Sequence, residues 1–240
     1  MHTSALTSVN NFKKLYLDPI QTEKHIHVVE LGSLSINSNV KKFFDSKFKY
    51  TGLDIEKGPN VDLVLDDPYT LPFENNSIDV VISISTFEHT DFFWLSYLEI
   101  LRVLKPTGLF FLNVPSNGHY HRHPGDSWRF YPDSANSLEK WGKKNNFNCE
   151  VLEHFTSSTT AKGIWNDYVS ITIKDRNFKE KYKSRITDKI KNFTNGRTDI
   201  NFDLINFSKI PQDQDNWGFK LYLKLKRRIW KIKKIFNILK

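Results

Sequence analysis

A short stretch after a predicted strand concentrates the side chains that could do chemistry. Residues 113–133 read NVPSNGHYHRHPGDSWRFYPD. They contain three histidines at alternate positions and two arginines, with Asp126 between the two arginines. Histidine exchanges a proton near neutral pH, so His121 is a candidate general base, with Asp126 either orienting it or acting as the base itself. Arginine binds phosphate and carboxylate well, so Arg122 or Arg129 could hold an anionic group. The segment therefore predicts a site that removes a proton from a polar, anionic acceptor.

The three histidines, His119, His121 and His123, allow a second interpretation. They alternate, so on an extended chain they would face one side, and together with Asp126 they could converge on a divalent ion. A solvated loop face explains them equally well, and we therefore assign no metal ligand. A third interpretation is structural: Asp126 and Arg129 could pair with each other and hold the loop in place.

A second set of polar residues follows the first predicted strands. The stretch VVELGSLSINSNV, residues 28–40, predicts a buried strand, a turn at Gly32 and a helix N-terminus whose backbone N–H groups would face a polar or anionic ligand. Asp54 ends the next strand, about twenty residues later, where a carboxylate can accept both hydroxyls of a ribose. Asp67 follows the third strand and could accept from the exocyclic amine of adenine. Each residue also has an ordinary alternative, as a turn glycine, a solvated helix cap or a turn aspartate.

The elements that position these residues alternate between strands and helices. Runs of β-branched residues predict strands, and apolar residues three and four apart predict helices, so the alternation indicates a doubly wound α/β fold with a parallel sheet. The predicted strands are His27–Leu31, Tyr50–Ile55, Val61–Leu65, Ile78–Ile84, Leu109–Val114, Cys149–His154 and Tyr168–Ile173. The predicted helices are Asn11–Leu17, Ile36–Ser46, Asp91–Leu104, Pro132–Asn146 and Phe178–Phe193. Glu88 and His89, which follow the fourth strand, could contact a substrate or begin the next helix.

We expect three regions along the chain. Residues 1–175 form the α/β domain, 176–216 a helix and an irregular linker, and 217–240 a basic amphipathic helix. The apolar content of 39% supports a substantial core. Cys149 is the only cysteine, which excludes an intramolecular disulfide, and no apolar N-terminal segment is present, so we expect a cytoplasmic location.

The net charge of +8 is concentrated in the last region. Residues 217–240 hold nine lysines and arginines and no acid, which leaves about −1 for the other 216 residues. A nearly neutral domain argues against nucleic acid as a partner. The tail places six apolar residues on one stripe of a helix: Tyr222, Leu225, Ile229, Ile232, Phe236 and Leu239. We expect this stripe to lie on an anionic surface at the inner face of the membrane, or alternatively to pack on the domain or on a partner helix.

Five segments together resemble the class I S-adenosylmethionine-dependent methyltransferases. They are VVELGS, YTGLDI, VLDDPYTLPFENNSIDVVIS, TFEH and EILRVLKPTGLFFLNVP, within residues 26–175. The resemblance implies a Rossmann-like sheet of seven strands, followed here by the C-terminal helical extension, and S-adenosyl-L-methionine as the cofactor. It implies that the methionine part lies near Glu30, Gly32 and Ser33, the ribose near Asp54 and Ile55, the adenine near Asp67 and Pro68, and that Ser85 forms the floor.

The chain departs from this family at the glycine loop. The three alternating glycines of the usual pattern read Gly32, Leu34 and Ile36 here. A subset of bacterial members carries a similar Gly-Ser turn followed by an apolar residue and an asparagine, matched by Ile36 and Asn37. By that resemblance, Asn37 replaces a backbone contact to the cofactor with a side-chain contact.

Residues 121–130 resemble a loop in methyltransferases that are encoded with bacterial surface-polysaccharide genes. The matching elements are His121-Arg122, Asp126 and Trp128-Arg129-Phe130. The resemblance implies O-methylation of a sugar hydroxyl in a surface glycan, a glycolipid or a nucleotide-sugar precursor. We therefore take His121, Asp126 and Arg129 as the candidate catalytic residues. Two other classes stay open: methylation of RNA or of another small molecule, and a non-catalytic scaffold that keeps the fold.

Overall fold

Among the residues that the structure describes, eight strands form one mixed sheet. This computed structural model describes residues 3–34, 39–158 and 165–209, and in the C-terminal segment 221, 224–226 and 228–229. The strands are β1 Ile26–Leu31, β2 Phe48–Asp54, β3 Leu63–Val64, β4 Ile78–Ile84, β5 Leu104–Pro115, β6 Glu150–Ser157, β7 Asp167–Ile173 and β8 Phe193–Thr198. They lie in the order β3-β2-β1-β4-β5-β7-β6-β8. The strand order reverses beside β1, with β2 on one side and β4 on the other, as in doubly wound sheets.

The centre of the sheet is parallel and buried on both faces. β1 pairs in parallel with β2 and β4, and Val28 lies opposite both Tyr50 and Val80. β4 is buried along almost its whole length, which explains its β-branched composition. The other half is antiparallel, because β7 runs against both β5 and β6. The α/β fold class predicted from the sequence is therefore confirmed, with a mixed rather than a fully parallel sheet.

Each face of the sheet carries an apolar core. The α-helices in the described part of the chain are α1 Thr3–Phe12, which begins earlier than the predicted helix Asn11–Leu17, α2 Phe93–Val103 and α3 Ser134–Lys144. Phe12 of α1 stacks on Phe111 of β5, with ring centroids 4.8 Å apart. Tyr97 of α2 packs on Phe110, with centroids 5.9 Å apart. Because neighbouring residues on a strand point to opposite faces, α1 and α2 cover opposite sides of the sheet.

The helix predicted over Ile36–Ser46 does not form in its described part. Residues 41–43 make a single 3-10 turn, and residues 35–38 lie outside the described part of the chain. Val40 and Phe44 are nevertheless buried against the sheet, as their spacing predicted. The apolar pattern therefore identified the buried side chains but not the backbone that carries them.

The helix predicted over Phe178–Phe193 is wrong. Two short 3-10 turns, Arg176–Lys181 and Ile186–Asp188, take its place before the chain enters β8. Arg185 is buried between these turns and donates to Asp199 Oδ1 at 2.7 Å. The polar residues of this region are thus paired inside the fold instead of lying on a solvated helix.

β8 adds an eighth strand to the seven that were predicted. It pairs antiparallel with β6, with Glu153 opposite Thr198. The compact unit consequently extends from Met1 to Phe207, past the domain boundary expected at residue 175.

A second unit, Ser208–Lys240, contains the basic segment. Its described residues from 221 onward are helical. Leu225 and Ile229 of the predicted apolar stripe are 49% and 54% exposed, respectively. The stripe residues Tyr222, Ile232, Phe236 and Leu239 lie outside the described part of the chain. None of the described helices is long and apolar enough to cross a membrane.

Candidate active site

A cavity opens at the carboxyl ends of β1, β2 and β4, where the strand order reverses. Its volume is about 490 Å³, within the roughly 300–1,000 Å³ that is usual for small-molecule sites. Its walls include Glu30, Gly32, Ser33, Asp54, Ile55, Pro68 and Ser85 of the predicted cofactor set. They also include Tyr69, Glu88, His89, His121, His123, Trp165 and Asp167. Most of the predicted cofactor residues and one predicted catalytic residue therefore share a single space.

The turn after β1 requires glycine. Gly32 has a φ of +83°, and a Cβ at this position would lie 1.9 Å from Thr86 Oγ1. The expectation that this turn offers free backbone N–H groups is wrong for its described part. Gly32 and Ser33 donate to Leu53 O at 2.9 Å, and Leu34 donates to Asp54 Oδ2 at 2.8 Å. Glycine is therefore needed here for the close approach of Thr86, and these three amides bond within the protein instead of to a ligand.

Asp54 connects the first two strands at the edge of the cavity. Its Oδ1 accepts the backbone N–H of Ile55 at 2.8 Å, while Oδ2 accepts that of Leu34. Oδ1 also accepts the backbone N–H of Glu56 at 3.3 Å. Each carboxylate oxygen has two lone pairs, so Oδ2 is the oxygen that can still accept a ribose hydroxyl. Ile55 is 46% exposed and lies beside this carboxylate in the cavity wall. These two residues fit a ribose with an apolar contact next to it.

Asp67 is placed differently from the prediction. Its oxygens accept the backbone N–H of Tyr69 at 2.9 Å and the hydroxyl of Thr70 at 2.8 Å, and these bonds lower the pKa of the carboxyl. The side chain is exposed and stands outside the cavity wall, so the structure favours the ordinary turn aspartate. Pro68 and Tyr69 line the cavity instead, and they offer an apolar surface to a planar base.

The floor of the cavity contains buried polar groups. Glu30 is 3% exposed, accepts the hydroxyl of Tyr50, and has its pKa raised by burial to about 7. The hydroxyl of Ser33 is buried with no hydrogen-bond partner among the described residues. Ser85 adopts a φ of +52° and donates its N–H to Asn113 O at 2.8 Å. Asn37 lies outside the described part of the chain.

Asp126 and Arg129 form a partly buried pair that holds the 113–133 segment. The Asp126 side chain is 1% exposed and accepts both terminal nitrogens of Arg129, at 2.5 and 2.8 Å. The guanidinium lowers the pKa of Asp126 to about 2. Arg129 also donates to the backbone oxygens of Trp128 and His119, at 2.7 and 2.9 Å. The structural interpretation of this pair is thus what the geometry shows, and neither residue lines the cavity.

His121 is the predicted catalytic residue that does line the cavity. Its Nδ1 lies 3.2 Å from His119 O and 3.4 Å from Asp126 Oδ2. Both partners can only accept, so Nδ1 carries the ring proton and Nε2 keeps a lone pair. That nitrogen can accept a proton from an acceptor or bind a metal ion. His119 is not part of the cavity wall, so the three alternating histidines do not act together there.

Two further residues approach His121 from the fourth strand. Glu88 is 1% exposed, and burial raises its pKa to about 8. His89 meets His121 edge to face, with ring centroids 5.0 Å apart. One ligand atom from each of the three side chains lies within 4.8 Å of the other two. The sequence offered Glu88 and His89 as possible acceptor contacts, and the structure brings them together with His121.

Trp165 and Asp167 are cavity residues that the sequence did not indicate. The Trp165 ring meets His121 at 5.0 Å, and a Cβ on Gly118, whose φ is +106°, would lie 2.0 Å from that ring. Asp167 is 2% exposed and lies opposite Pro115 in the ladder between β5 and β7. The start of an antiparallel strand lies at the carboxyl end of its neighbour, so the polar start of β7 was the available signal.

Residues 29–112 match the protein family described as a methyltransferase domain. This stretch runs from β1 through most of β5 and contains Gly32, Asp54 and Glu88. No curated protein matches the chain in sequence.

Solved structures share the fold at low sequence identity. The 1,6-didemethyltoxoflavin-N1-methyltransferase of Burkholderia thailandensis, solved with S-adenosylhomocysteine, superposes with a TM-score of 0.54 at 14% identity, over 72% of this chain and 79% of that one. The [4+2]-cyclase SpnF superposes with a TM-score of 0.52 at 13% identity, over 71% of this chain and 81% of that one. The YcgJ protein of Bacillus subtilis superposes with a TM-score of 0.51 at 13% identity, over 73% of this chain and 100% of that one. A cyclase among these shows that the fold alone does not determine the reaction.

The chain thus contains a match to a methyltransferase domain over residues 29–112, and its sheet has the class I methyltransferase fold. Its cofactor is S-adenosylmethionine. The residues present fit that group, because Asp54 presents an acceptor at the cavity edge and the buried hydroxyl of Ser33 has no partner among the described residues. The finer assignment, the acceptor that receives the methyl group, is a separate question.

Proposed function

We propose that the enzyme transfers the methyl group of S-adenosylmethionine to a sugar hydroxyl of a bacterial surface glycan, glycolipid or nucleotide-sugar precursor. The observation that carries this proposal is that Asp54 and His121 line the same cavity. A carboxylate suited to the cofactor ribose therefore shares one space with a histidine whose Nε2 lone pair is free to act.

The lone pair of His121 supports oxygen as the acceptor atom. The new O–C bond forms as the C–S bond of the sulfonium breaks, and the hydroxyl must lose its proton, so the site needs a group that activates the hydroxyl. His121 supplies that group, since Asp126 holds Nδ1 and leaves Nε2 for the acceptor. Asp126 itself is a weak base, because its pKa is about 2.

Aromatic and basic side chains support a sugar with an anionic group. Trp165 lines the cavity beside His121, and Tyr120 and Tyr131 of the 113–133 segment are 73% and 51% exposed. Aromatic faces beside polar groups suit the apolar side of a sugar ring. Arg129 is committed to Asp126, so the anionic group falls to Arg122, whose one hydrogen bond among the described residues runs from Nε to Pro124 O.

The test is transfer of a labelled methyl group from S-adenosylmethionine to a panel of acceptors. The panel contains nucleotide sugars, extracted surface glycolipid, purified capsular polysaccharide and, as the competing class, transfer and ribosomal RNA. We expect label on one or more carbohydrate acceptors, released as an O-methyl sugar after hydrolysis. Label on RNA alone would contradict the sugar proposal, and absence of any cofactor binding would favour the scaffold.

The matched variant is His121→Ala. A positioned catalytic group typically contributes about 10²–10⁴-fold to the rate, so turnover should fall by that range. Cofactor affinity should stay unchanged, because Asp54 lies on β2 and not on the 113–133 segment that carries His121. Unchanged turnover would remove His121 from the mechanism.

A further inference from the structure

We infer that Glu88, His89 and His121 bind a divalent transition-metal ion, and that this ion holds the acceptor oxygen. The three side chains line the cavity, and one ligand atom from each lies within 4.8 Å of the others. Ion binding itself is independent of the acceptor, while the ion's role in methyl transfer rests on the proposed function. The set differs from the alternating histidines of the sequence, of which it includes only His121.

Both histidines have the same ring nitrogen, Nε2, available for an ion. His89 Nδ1 lies 2.5 Å from Gly125 O, and His121 Nδ1 lies 3.2 Å from His119 O. A carbonyl oxygen only accepts, so both rings carry their proton on Nδ1 and leave a lone pair on Nε2. A histidine that ligates a metal characteristically donates its other ring N–H to a carbonyl or carboxylate in this way. His121 has the carboxylate of Asp126 as an additional partner, at 3.4 Å.

Glu88 supplies a second, independent indication of a cation. Its side chain is 1% exposed, and Oε2 has no hydrogen-bond partner among the described residues. Its Oε1 lies 3.8 Å from His89 Nε2. Burial disfavours the charged form of this carboxyl group, and a bound cation would offset that cost. Arg129 offsets part of it electrostatically. No described lysine or arginine forms an ion pair with Glu88, which leaves Oε2 for a ligand.

The donor set selects the kind of ion. Two imidazole nitrogens and one carboxylate suit Zn²⁺, Co²⁺ or Fe²⁺, whereas Mg²⁺ and Ca²⁺ prefer oxygen ligands. Three protein ligands leave a position open for water or for a substrate oxygen. A hydroxyl bound there has a lowered pKa. The acceptor hydroxyl loses its proton to water as its oxygen forms a bond to the methyl carbon. S-adenosylhomocysteine leaves with the electron pair of the broken C–S bond.

In this arrangement the Nε2 lone pair of His121 binds the ion, so His121 activates the acceptor through the ion and does not take the proton itself. Asp126 keeps the role of orienting His121. The arrangement also predicts that His119, two residues away on the same segment, is not a ligand. Its side chain is outside the cavity, and it contributes its backbone oxygen, which an alanine would retain. His119→Ala is therefore a matched control for His121→Ala.

The test is titration of chelator-treated full-length protein with Zn²⁺ against a chromogenic competitor, and with Co²⁺ followed by its visible absorption. We expect one ion per chain and no competition from millimolar Mg²⁺. His89→Ala, His121→Ala and Glu88→Gln should each weaken Zn²⁺ by at least about 100-fold, since even outer partners of ligating histidines contribute 10–100-fold. Binding of S-adenosylhomocysteine reports that each variant is folded. The His121 side chain is 40% exposed, so this variant remains informative if Glu88→Gln does not fold.

Three results would overturn the inference: no stoichiometric Zn²⁺ on the wild type, wild-type affinity in His121→Ala, or equal loss in His119→Ala. Methyl transfer to sugar that persists unchanged in chelator would leave the proposed function intact and remove the ion from it. Stoichiometric Zn²⁺ binding by a protein that methylates no sugar would support the ion site and contradict the proposed function.

Discussion

Asp126 accepts both terminal nitrogens of Arg129, at 2.5 and 2.8 Å, and the same carboxylate accepts the backbone N–H of His121 at 2.7 Å. Bidentate bonds between arginine and carboxylate are strong and directional, so this pair fixes the path of the segment that carries His121. In the proposed mechanism Asp126 and Arg129 therefore position the segment, and His121 is the side chain that lines the cavity.

This relationship predicts the behaviour of Asp126→Asn. The amide cannot accept both bonds from Arg129 at Oδ1 and Oδ2, so the segment loosens and His121 loses its orientation. Misplacing a catalytic group typically lowers the rate by about 10²-fold. We expect kcat to fall by that order while the affinity for S-adenosylhomocysteine is unchanged. Asp133→Asn, on an exposed residue just before α3, is the control, and equal kcat in the two variants would contradict the positioning role.

The turn after β1 predicts a strong effect of Gly32→Ala. The added Cβ would overlap Thr86, and a φ of +83° disfavours any other residue. We expect a loss of about 3 kcal/mol in the free energy of unfolding, from the strained backbone together with overpacking. Gly125→Ala is the control, because its Cβ would have no neighbour nearer than 3.8 Å. Urea unfolding measures both, and equal stability of the two variants would show that the turn is not constrained.

Burial of Glu30 predicts a pH-dependent stability. Its pKa is raised from 4.5 to about 7 in the folded protein, so the folded state holds a proton that the unfolded state releases. The corresponding stability is fully present below pH 4.5 and is lost as the pH rises through 7. At about 1.4 kcal/mol per pKa unit, this loss amounts to roughly 3 kcal/mol.

Glu30→Gln removes the titrating group. We expect the variant to match the wild type near pH 4.5 and to be more stable at pH 8, as measured by thermal unfolding in buffers across this range. Glu23→Gln, at an exposed position, should show no such divergence. A wild-type advantage that grows toward pH 8 would mean that Glu30 is stabilised in its ionised form.

The basic segment predicts binding to anionic membranes. Leu225 and Ile229 are exposed on its helix, and each lysine or arginine near an anionic surface contributes about 1 kcal/mol. We expect the full chain to float with vesicles containing phosphatidylglycerol in a salt-sensitive manner, and not with phosphatidylcholine alone. A chain ending at Asn216 retains the whole first unit and should stay unbound. Equal flotation of the two chains would favour a stripe that packs on protein.

The sequence predicted the central sheet because its signals are local. β4, with the sequence IDVVISI, is rich in β-branched residues, and Gly32 and Asp54 stand at the ends of consecutive strands. β8 was missed because FTNGRT contains one large apolar residue, and its place depends on contacts from distant parts of the chain. Arg185 and Asp199 illustrate this, because they pair across fourteen residues in a buried position that no periodicity reveals.

The candidate site was predictable on one side only. Residues of the cofactor wall follow strands directly, whereas Trp165 and Asp167 reach the cavity through the antiparallel return of β7. Asp67 shows the opposite error: its position matched a family pattern, but its oxygens are bonded within its own turn. Which way a side chain turns depends on hydrogen bonds that spacing does not reveal.

Calorimetric titration with S-adenosylhomocysteine tests most directly whether this cavity is the cofactor site. The compared proteins are the wild type, Asp54→Ala, and Asp62→Ala, whose carboxylate also accepts a backbone N–H, from Gly52 at 2.8 Å, but lies outside the cavity. A charge-assisted hydrogen bond contributes roughly 1.5–3 kcal/mol, so Asp54→Ala should bind about tenfold or more weakly while Asp62→Ala binds like the wild type. No binding to the wild type at millimolar ligand, or equal affinity in the wild type and Asp54→Ala, would contradict this account.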